Sequence, residues 1–251
     1  MKPVLRVEHL TKEYTGKGIK AVSDLSFSLM PGECLGVIGE SGSGKSTVAN
    51  MVTRLLEPDE GSIFLDGEDI TNLSGKKLRE MYRKIQMVFQ LPAESFDPRR
   101  TLGDGIGESL CNFGMRRGEA QKEVEKLLVQ CGLTGEFAGK YPHEVSGGQC
   151  QRAAIARALA VRPKVLICDE ATSALDVTVQ KEIIDLLDRL MREKGRELSI
   201  LFISHDIALV QQFCDRVLVM YQGRIVEEGT PDEVIQNPQD PYTKRLIESI
   251  L

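Results

Sequence analysis

Apolar and polar positions alternate over residues 1–30 of this 251-residue chain. The alternation predicts antiparallel strands joined by a turn near residues 16–18. Residues 33–65 then show the pattern of a strand, a glycine-rich loop, a helix, a turn and another strand. From residue 164 onward, short apolar runs alternate with amphipathic helical patterns. Continuous apolar strands of this kind are typical of a parallel sheet covered by helices on both faces.

Residues 91–162 interrupt this pattern, because they contain no strong strand and are divided by Gly and Pro. Their periodicity predicts helices at about 103–113, 118–131 and 147–160. The sequence therefore predicts a single α/β domain with an α-helical subdomain inserted into its core. Under this division the core comprises residues 1–90 and 163–251. It would contain an antiparallel N-terminal β-subdomain, a mainly parallel sheet and a tail of one or two short helices.

The composition excludes several classes of protein and site. Lys and Arg number 32 against 37 Asp and Glu, so the formal net charge is −5 and the pI is about 5.4. A field of this sign does not favour nucleic acid or an anionic lipid surface. No apolar run reaches the roughly 18 residues of a membrane span, and the N-terminus lacks a signal-peptide pattern, so we expect a cytoplasmic protein. The six cysteines form no CxxC pair and the three histidines do not cluster with them, so we expect no metal site there.

The strongest local motif lies between the predicted strand and helix of residues 33–65. It runs from Gly39 to Thr47 and satisfies GxxxxGK[ST]. Its glycines allow backbone N–H groups to point inward, and the following helix N-terminus adds positive potential, so the loop is suited to phosphates. Lys45 can reach the β- and γ-phosphates, and the Ser46 hydroxyl can coordinate Mg²⁺. The alternative is a simple glycine-rich turn. The loop residues that we assign to nucleotide binding are Gly39, Ser41, Gly42, Gly44, Lys45, Ser46 and Thr47.

A pair of carboxylates follows an apolar strand about 120 residues later. Asp169 and Glu170 come directly after Val165-Leu-Ile-Cys. Carboxylates at the end of a buried strand are costly unless they have a role there. Asp169 is placed to hold the Mg²⁺ shell, and Glu170 could act as the general base that polarises an attacking water. The alternative is a surface Asp-Glu pair at a strand end.

A second anion site is predicted at Ser146-Gly147-Gly148-Gln149, which leads into a helix. A chain with two helix N-termini of this kind has two options. It could bind two anions, or it could close two halves of one site across a dimer.

Together these motifs resemble those of the nucleotide-binding subunits of ATP-binding cassette (ABC) transporters, and the resemblance covers essentially the whole chain. It implies a P-loop NTPase fold of ABC type and four further site residues. Tyr14 matches the aromatic residue that stacks on adenine, and Gln90 matches the glutamine that contacts Mg²⁺ and water. Asp176 ends a loop that crosses the dimer interface, and His205 matches the histidine that contacts the γ-phosphate. Taken alone, Tyr14 could be a strand-face aromatic and His205 a surface histidine.

The resemblance also implies a mechanism and partners. Two cassettes would close head to tail around two ATP molecules, each held by one P-loop and the opposing Ser146-Gly147-Gly148 turn. ATP and Mg²⁺ are the implied cofactors. Closure would drive two transmembrane permease subunits docked near the segment after Gln90. A second, different ATPase chain and, indirectly, an extracytoplasmic substrate-binding protein complete the implied complex. The chain would then lie peripherally on the cytoplasmic face of the cell membrane.

Two stretches narrow the resemblance to the ATPases of peptide and nickel importers. They are LPAESFDPRRTLGDGIGESL after Gln90 and NPQDPYTKRLIESIL at the end of the chain. Many peptide-importer ATPases continue into a Cys-containing extension, whereas this sequence ends at Leu251. The short form therefore favours a nickel or metal–chelate importer, with di- or oligopeptides as the other option. Two departures from the family pattern are Val145, where Leu is more usual, and Cys150, where a polar residue is common.

Two other functions are compatible with parts of the sequence. A soluble ABC ATPase of DNA repair would carry a long coiled coil, but only about 100 residues separate Lys45 from Ser146 and they show no sustained heptads. Ribosome-acting relatives typically carry two cassettes in one chain. A nucleotide-binding regulatory module without turnover would not need Glu170 and His205, and both are present.

Overall fold

The computed structural model describes residues 2–14, 19–193 and 198–249, so the turn predicted near residues 16–18 lies outside it. The strands are β1 (Leu5–Tyr14), β2 (Ile19–Leu29), β3 (Cys34–Ile38), β4 (Glu60–Leu65), β5 (Glu68–Asp69), β6 (Ile85–Val88), β7 (Val165–Asp169), β8 (Ser199–Ile203), β9 (Arg216–Tyr221) and β10 (Arg224–Gly229). The α-helices are α1 (Lys45–Val52), α2 (Gly75–Met81), α3 (Leu102–Asn112), α4 (Arg117–Gln130), α5 (Gly147–Leu159), α6 (Val177–Arg192), α7 (Ile207–Phe213), α8 (Pro231–Gln236) and α9 (Pro241–Glu248).

The N-terminal strands form the predicted antiparallel sheet, in the order β2-β1-β4-β5. Leu5 pairs with Leu29 of β2 on one side and with Leu65 of β4 on the other. Strand β1 shifts register between Val7 and Leu10, where His9 adopts a positive φ of 53°. Because the extra residue restores the inward direction of the side chain, Leu10 is buried like Leu5. Strand β4, which follows α1 in the sequence, pairs with β1 and so belongs to this antiparallel sheet, not to the parallel one.

The second sheet has six strands in the order β10-β9-β3-β8-β7-β6. Strands β9, β3, β8, β7 and β6 are parallel, and β10 joins β9 as an antiparallel edge. This confirms the predicted fold class. Cys34 and Cys168 are fully buried in β3 and β7, as small apolar residues of the core. The carboxyl ends of the parallel strands meet at one edge, which is where open α/β sheets bind ligands.

The sheet separates two apolar cores. Leu166 and Cys168 of β7 face a core shared with α3 to α7, whereas Val165 and Ile167 face a core shared with α1 and the antiparallel sheet. The helices α3, α4 and α5 begin and end within one residue of the predicted bounds. Helix α2 was not predicted, because its sequence GKKLREM buries only Met81. No helix among the described residues is long and apolar enough to cross a membrane.

Helix α5 lies against the start of α6, and one glycine allows this approach. A Cβ atom on Gly148 would lie 2.6 Å from Cγ1 of Val179, whereas one on Gly147 would lie 3.5 Å from the Leu175 side chain. The first distance is a steric overlap and the second is an ordinary van der Waals contact. Val179 has few alternative rotamers because it is β-branched and helical.

We therefore expect Gly148→Ala to lower the free energy of unfolding by about 1–2 kcal/mol, since α5 and α6 must separate. The neighbouring Gly147→Ala is the matched control and should change it by less than about 0.5 kcal/mol. Urea unfolding of both variants measures the difference. Equal stability of the two variants would contradict the close-packing explanation.

Candidate active site

The loop between β3 and α1 has the backbone that its glycines predict. Gly39, Gly42 and Gly44 have φ values of +147°, +80° and +105°, which other residues rarely adopt. Two of them also permit close approach of other strands. A Cβ on Gly39 would lie 2.2 Å from the Met220 carbonyl oxygen, and one on Gly44 would lie 2.3 Å from that of Ala21. The backbones of β2 and β9 therefore pack directly against this loop and restrict its movement.

Lys45 is the first residue of α1 and is buried under this loop. Its Nζ donates hydrogen bonds to the carbonyl oxygens of Gly39 at 2.7 Å and Glu40 at 2.8 Å. Burial lowers the pKa of Lys45, and the negative charges of Glu170 and Asp169 oppose that shift. The side chain is thus a partly desolvated cation held in the concave face of the loop.

The end of β7 brings a carboxylate to the start of α1. The Ser46 hydroxyl donates to Asp169 Oδ1 at 3.1 Å. Burial raises the pKa of Asp169, and the charge of Glu170 adds to this, while the Ser46 hydrogen bond and Lys45 oppose it. Two oxygen donors of the kind that Mg²⁺ prefers therefore lie together beside the glycine-rich loop.

Glu170 adopts a left-handed backbone conformation directly after the strand, with φ of +48°. Its N–H donates to the carbonyl of Ile203 at 3.0 Å, which ties it to the end of β8. Nδ1 of His205, which follows β8, lies 3.8 Å from Glu170 Oε2. An unfavourable backbone conformation of a non-glycine residue persists only where its surroundings hold it, and such residues concentrate at functional sites.

Gln90 is connected to Glu170 through Ser173, the first residue of the loop that Asp176 ends and one to which the sequence assigned no contact with Gln90. Gln90 Nε2 donates to Ser173 Oγ at 3.2 Å, and Ser173 Oγ donates to the Glu170 carbonyl at 3.0 Å. The signal was available in the sequence, because Ser173 lies three residues after Glu170 and can close a turn on its carbonyl. In the described part of the chain, no hydrogen bond joins Gln90 to Ser46 or Asp169.

Tyr14 is the last residue of β1 and is 44% exposed. Its hydroxyl is 3.5 Å from Thr47 Oγ1 in the first turn of α1. An exposed aromatic ring therefore lies beside the glycine-rich loop, and its contact with adenine stays a prediction.

The remaining predicted residues cap two helices away from that loop. Ser146 N–H donates to Gln149 Oε1 at 2.9 Å and Gln149 N–H donates to Ser146 Oγ at 3.3 Å, which makes a capping box at α5. Asp176 Oδ1 accepts from Val179 N–H at 3.0 Å and caps α6. Over the ranges that the structure covers, no hydrogen bond connects Ser146, Gln149 or Asp176 to residues 39–47. The chain thus divides its predicted site residues between two surfaces.

Comparison with known proteins identifies the family. The sequence model of the family described as "ABC transporter" matches residues 22–173, which is more than half of the chain. The chain belongs to the ABC transporter family. Within that family it corresponds to an ATP-binding domain.

Similar proteins and structures agree with this assignment. The glutathione import ATP-binding protein GsiA of Shigella boydii serotype 4 (strain Sb227) is 48% identical over 258 residues, and its counterpart in Salmonella paratyphi A is 47% identical. Each match covers 99% of this chain but 41% of the relative. The structure of cbiO1 from Clostridium perfringens, part of the ABC transporter complex cbiONQ, has a TM-score of 0.84 at 31% identity and covers all of this chain and 95% of its own. The cassette MJ0796, a dimer bound to ADP and Pi, has a TM-score of 0.81 at 30% identity, covering 90% of this chain and 98% of its own.

The half-buried carboxylate of Asp169 leads to a prediction about stability. Because folding raises the pKa of Asp169, its charged form destabilises the native state at neutral pH. We expect Asp169→Asn to raise the free energy of unfolding in Mg²⁺-free buffer at neutral pH. The gain should shrink as the pH falls below the raised pKa of Asp169 in the folded chain. It should vanish below the ordinary aspartate pKa of about 4, because the carboxyl is then protonated in the folded and the unfolded chain alike.

Thermal unfolding across this pH range measures the effect. Asp185→Asn is the control, because Asp185 is exposed on α6 and water solvates its charge. A variant at position 169 that is less stable than the native protein at neutral pH would contradict the desolvation argument.

Proposed function

We propose that this chain hydrolyses ATP to drive uptake of a solute through an ABC importer. The observation that carries the proposal is the convergence of three groups at the carboxyl edge of the parallel sheet. These are the buried Lys45 ammonium, the Ser46–Asp169 oxygen pair and the Glu170–His205 pair. A cation and hydrogen-bond donors that can bind phosphate therefore lie next to the Glu170 carboxylate, which can accept a proton. Phosphoryl transfer requires this combination.

Mg²⁺ fits the residues present. Ser46 Oγ and Asp169 Oδ1, 3.1 Å apart, supply a hydroxyl and a carboxylate oxygen at one point. We propose that Ser46 and Asp169 hold the ion, with Gln90 reaching it from the adjoining loop. When bound, the ion neutralises negative charge on the phosphates.

The protein groups then have distinct roles. Lys45 and the N–H groups of the glycine-rich loop bind the phosphates, while Tyr14 contacts the adenine ring. Glu170 accepts a proton at its carboxylate from the water that attacks the γ-phosphate, and His205 donates a hydrogen bond to that phosphate. The backbone hydrogen bond from Glu170 to Ile203 ties Glu170 to the end of β8 beside His205, so that the proton acceptor and the phosphate-binding histidine belong to one site.

The second surface would complete the site of another cassette. Ser146, Gly147, Gly148, Gln149 and Asp176 lie on α5 and α6 and not against their own loop. We propose that this surface meets the ATP of a second cassette, which in the assembled importer is a different chain. The dimer of MJ0796 with ADP and Pi, 30% identical to this chain, supports such an arrangement.

The membrane partners would bind next to Gln90. Phe89 and Leu91 are 37% and 46% exposed on either side of it. Exposed apolar side chains at that point are suited to binding the two permease subunits. Such binding would place the chain on the cytoplasmic face of the membrane. The cbiO1 relative is described as part of the complex cbiONQ, which supports binding to further subunits. We also propose that the whole chain forms one cassette, with residues 91–162 as its helical subdomain.

For the transported solute we propose a small peptide of the glutathione type. Two relatives at 47–48% identity over 99% of this chain are named for glutathione import. The chain spans about two fifths of their length, so this support concerns the matching part. Nickel or a nickel chelate is the second candidate, because the segment after Gln90 resembles that of peptide and nickel importers alike.

Replacing Glu170 tests the catalytic assignment. We expect Glu170→Gln to reduce ATP hydrolysis by about a hundredfold or more while ATP still binds, because the amide cannot accept the proton. Phosphate release and nucleotide titration measure the two effects. The exposed Glu119→Gln on α4 is the control and should hydrolyse ATP normally. Near-normal turnover of the Glu170→Gln variant would contradict the general-base role, and absence of turnover in the native chain would favour a regulatory module.

The solute is tested on the assembled importer. ATP hydrolysis by the complex with its permease subunits and binding protein in liposomes is measured with glutathione, with other short peptides and with Ni²⁺. We expect glutathione or short peptides to raise the rate and Ni²⁺ to leave it unchanged. Stimulation by Ni²⁺ alone would replace the peptide assignment with the metal one.

A further inference from the structure

The tail of the chain makes a direct hydrogen bond to the phosphate-binding loop. The backbone N–H of Glu40, the second residue of that loop, donates to the hydroxyl of Tyr242 at 3.0 Å. Tyr242 is the second residue of α9 and lies 202 positions further along the chain. None of the motifs discussed above includes it as a site residue.

Tyr242 is held firmly enough to act on the loop. Its side chain is 4% exposed, and its ring stacks on Tyr221 of β9 with centroids 4.0 Å apart. Burial raises the pKa of Tyr242, so the hydroxyl stays neutral and retains its proton near neutral pH. A neutral hydroxyl in a fixed ring can accept the amide hydrogen of Glu40 in one orientation.

The start of α9 is anchored on the neighbouring edge strand. Glu227 of β10 accepts hydrogen bonds from the backbone N–H of Gln239 at 2.8 Å and of Asp240 at 3.0 Å. Asp240 in turn caps α9 by accepting from the Tyr242 N–H at 2.7 Å. The position of the Tyr242 ring is therefore fixed by its backbone as well as by stacking.

The peptide unit that Tyr242 contacts is the one that holds the buried cation. The Glu40 N–H and the Gly39 carbonyl belong to the same planar peptide group, and in a trans peptide they point in opposite directions. The Gly39 carbonyl accepts from Lys45 Nζ at 2.7 Å, while the Glu40 N–H donates to Tyr242. Rotation of this peptide would break both bonds. Glycine at position 39, with φ of +147°, has little intrinsic preference that would prevent such rotation.

We propose that Tyr242 is a positioning residue for nucleotide binding. Its hydroxyl orients the Gly39–Glu40 peptide, and this peptide places the Lys45 ammonium in the concave face of the loop. The inference rests on the proposed function of that loop in binding ATP. It assigns to the C-terminal helix a role in the site that the loop sequence alone does not contain.

The matched pair Tyr242→Phe and Tyr221→Phe tests this role. Both substitutions keep the stacked rings and remove one hydroxyl. The hydroxyl of Tyr221 contacts only the exposed Gln222 side chain among the hydrogen bonds of the described residues. The first readout is hydrogen exchange of the Glu40 amide in nucleotide-free protein. We expect it to be about three- to tenfold faster in Tyr242→Phe, the effect of one lost hydrogen bond, and unchanged in Tyr221→Phe.

The second readout is affinity for a non-hydrolysable ATP analogue, together with kcat and KM for ATP. We expect Tyr242→Phe to weaken binding and to raise KM about three- to tenfold with a smaller effect on kcat, and Tyr221→Phe to match the native chain. A merely structural role would lower the melting temperature without accelerating exchange at Glu40 selectively.

Three results would overturn the inference. They are native exchange and affinity in Tyr242→Phe, equal changes in both variants, or faster exchange at Glu40 without any change in affinity. If the native chain binds no ATP, the proposed function is wrong. The exchange measurement needs no nucleotide, so it still decides whether the Tyr242 hydroxyl holds the Glu40 amide.

Discussion

The desolvation of two opposite charges, the buried Lys45 and the half-buried Asp169, is the constraint on which the rest of the site depends. Burial lowers the pKa of the amine and raises that of the carboxyl, so each loses part of its hydration when the chain folds. Their mutual attraction and the carbonyls of the glycine-rich loop offset only part of this cost. A bound phosphate would supply a negative charge beside Lys45, and its divalent cation would supply a positive charge beside Asp169. The fold thus keeps an uncompensated electrostatic cost at the place where a nucleotide would relieve it.

The parallel sheet makes this arrangement possible. Strands β3, β7 and β8 are buried along their whole length except at Asp169, so polar side chains can appear only where the strands end. Since the strands run in the same direction, their carboxyl ends bring Lys45, Asp169 and His205 together from positions as far as 160 residues apart in sequence. The antiparallel sheet and the β9–β10 hairpin contact the back of the loop through Ala21 and Met220.

The parts of the site that the sequence predicted are those encoded over short distances. The glycine-rich loop and the carboxylates at the end of β7 each follow from a few adjacent residues and the element beside them. The pairing of β4 with β1 depends on which sheet buries Ile63, and no local pattern specifies this choice. The Tyr242 contact was missed for the same reason, because it joins segments 202 residues apart through one backbone N–H.

A short hydrogen-bonded path links the exposed Gln90 side chain to the backbone of Glu170. Two hydrogen bonds, through Ser173, separate the Gln90 side chain from the Glu170 carbonyl. Glu170 has a positive φ of +48°, a conformation that persists only where the surrounding contacts hold it. Gln90 lies between the exposed Phe89 and Leu91. A molecule that displaces these side chains would therefore be linked through Ser173 to the backbone of Glu170.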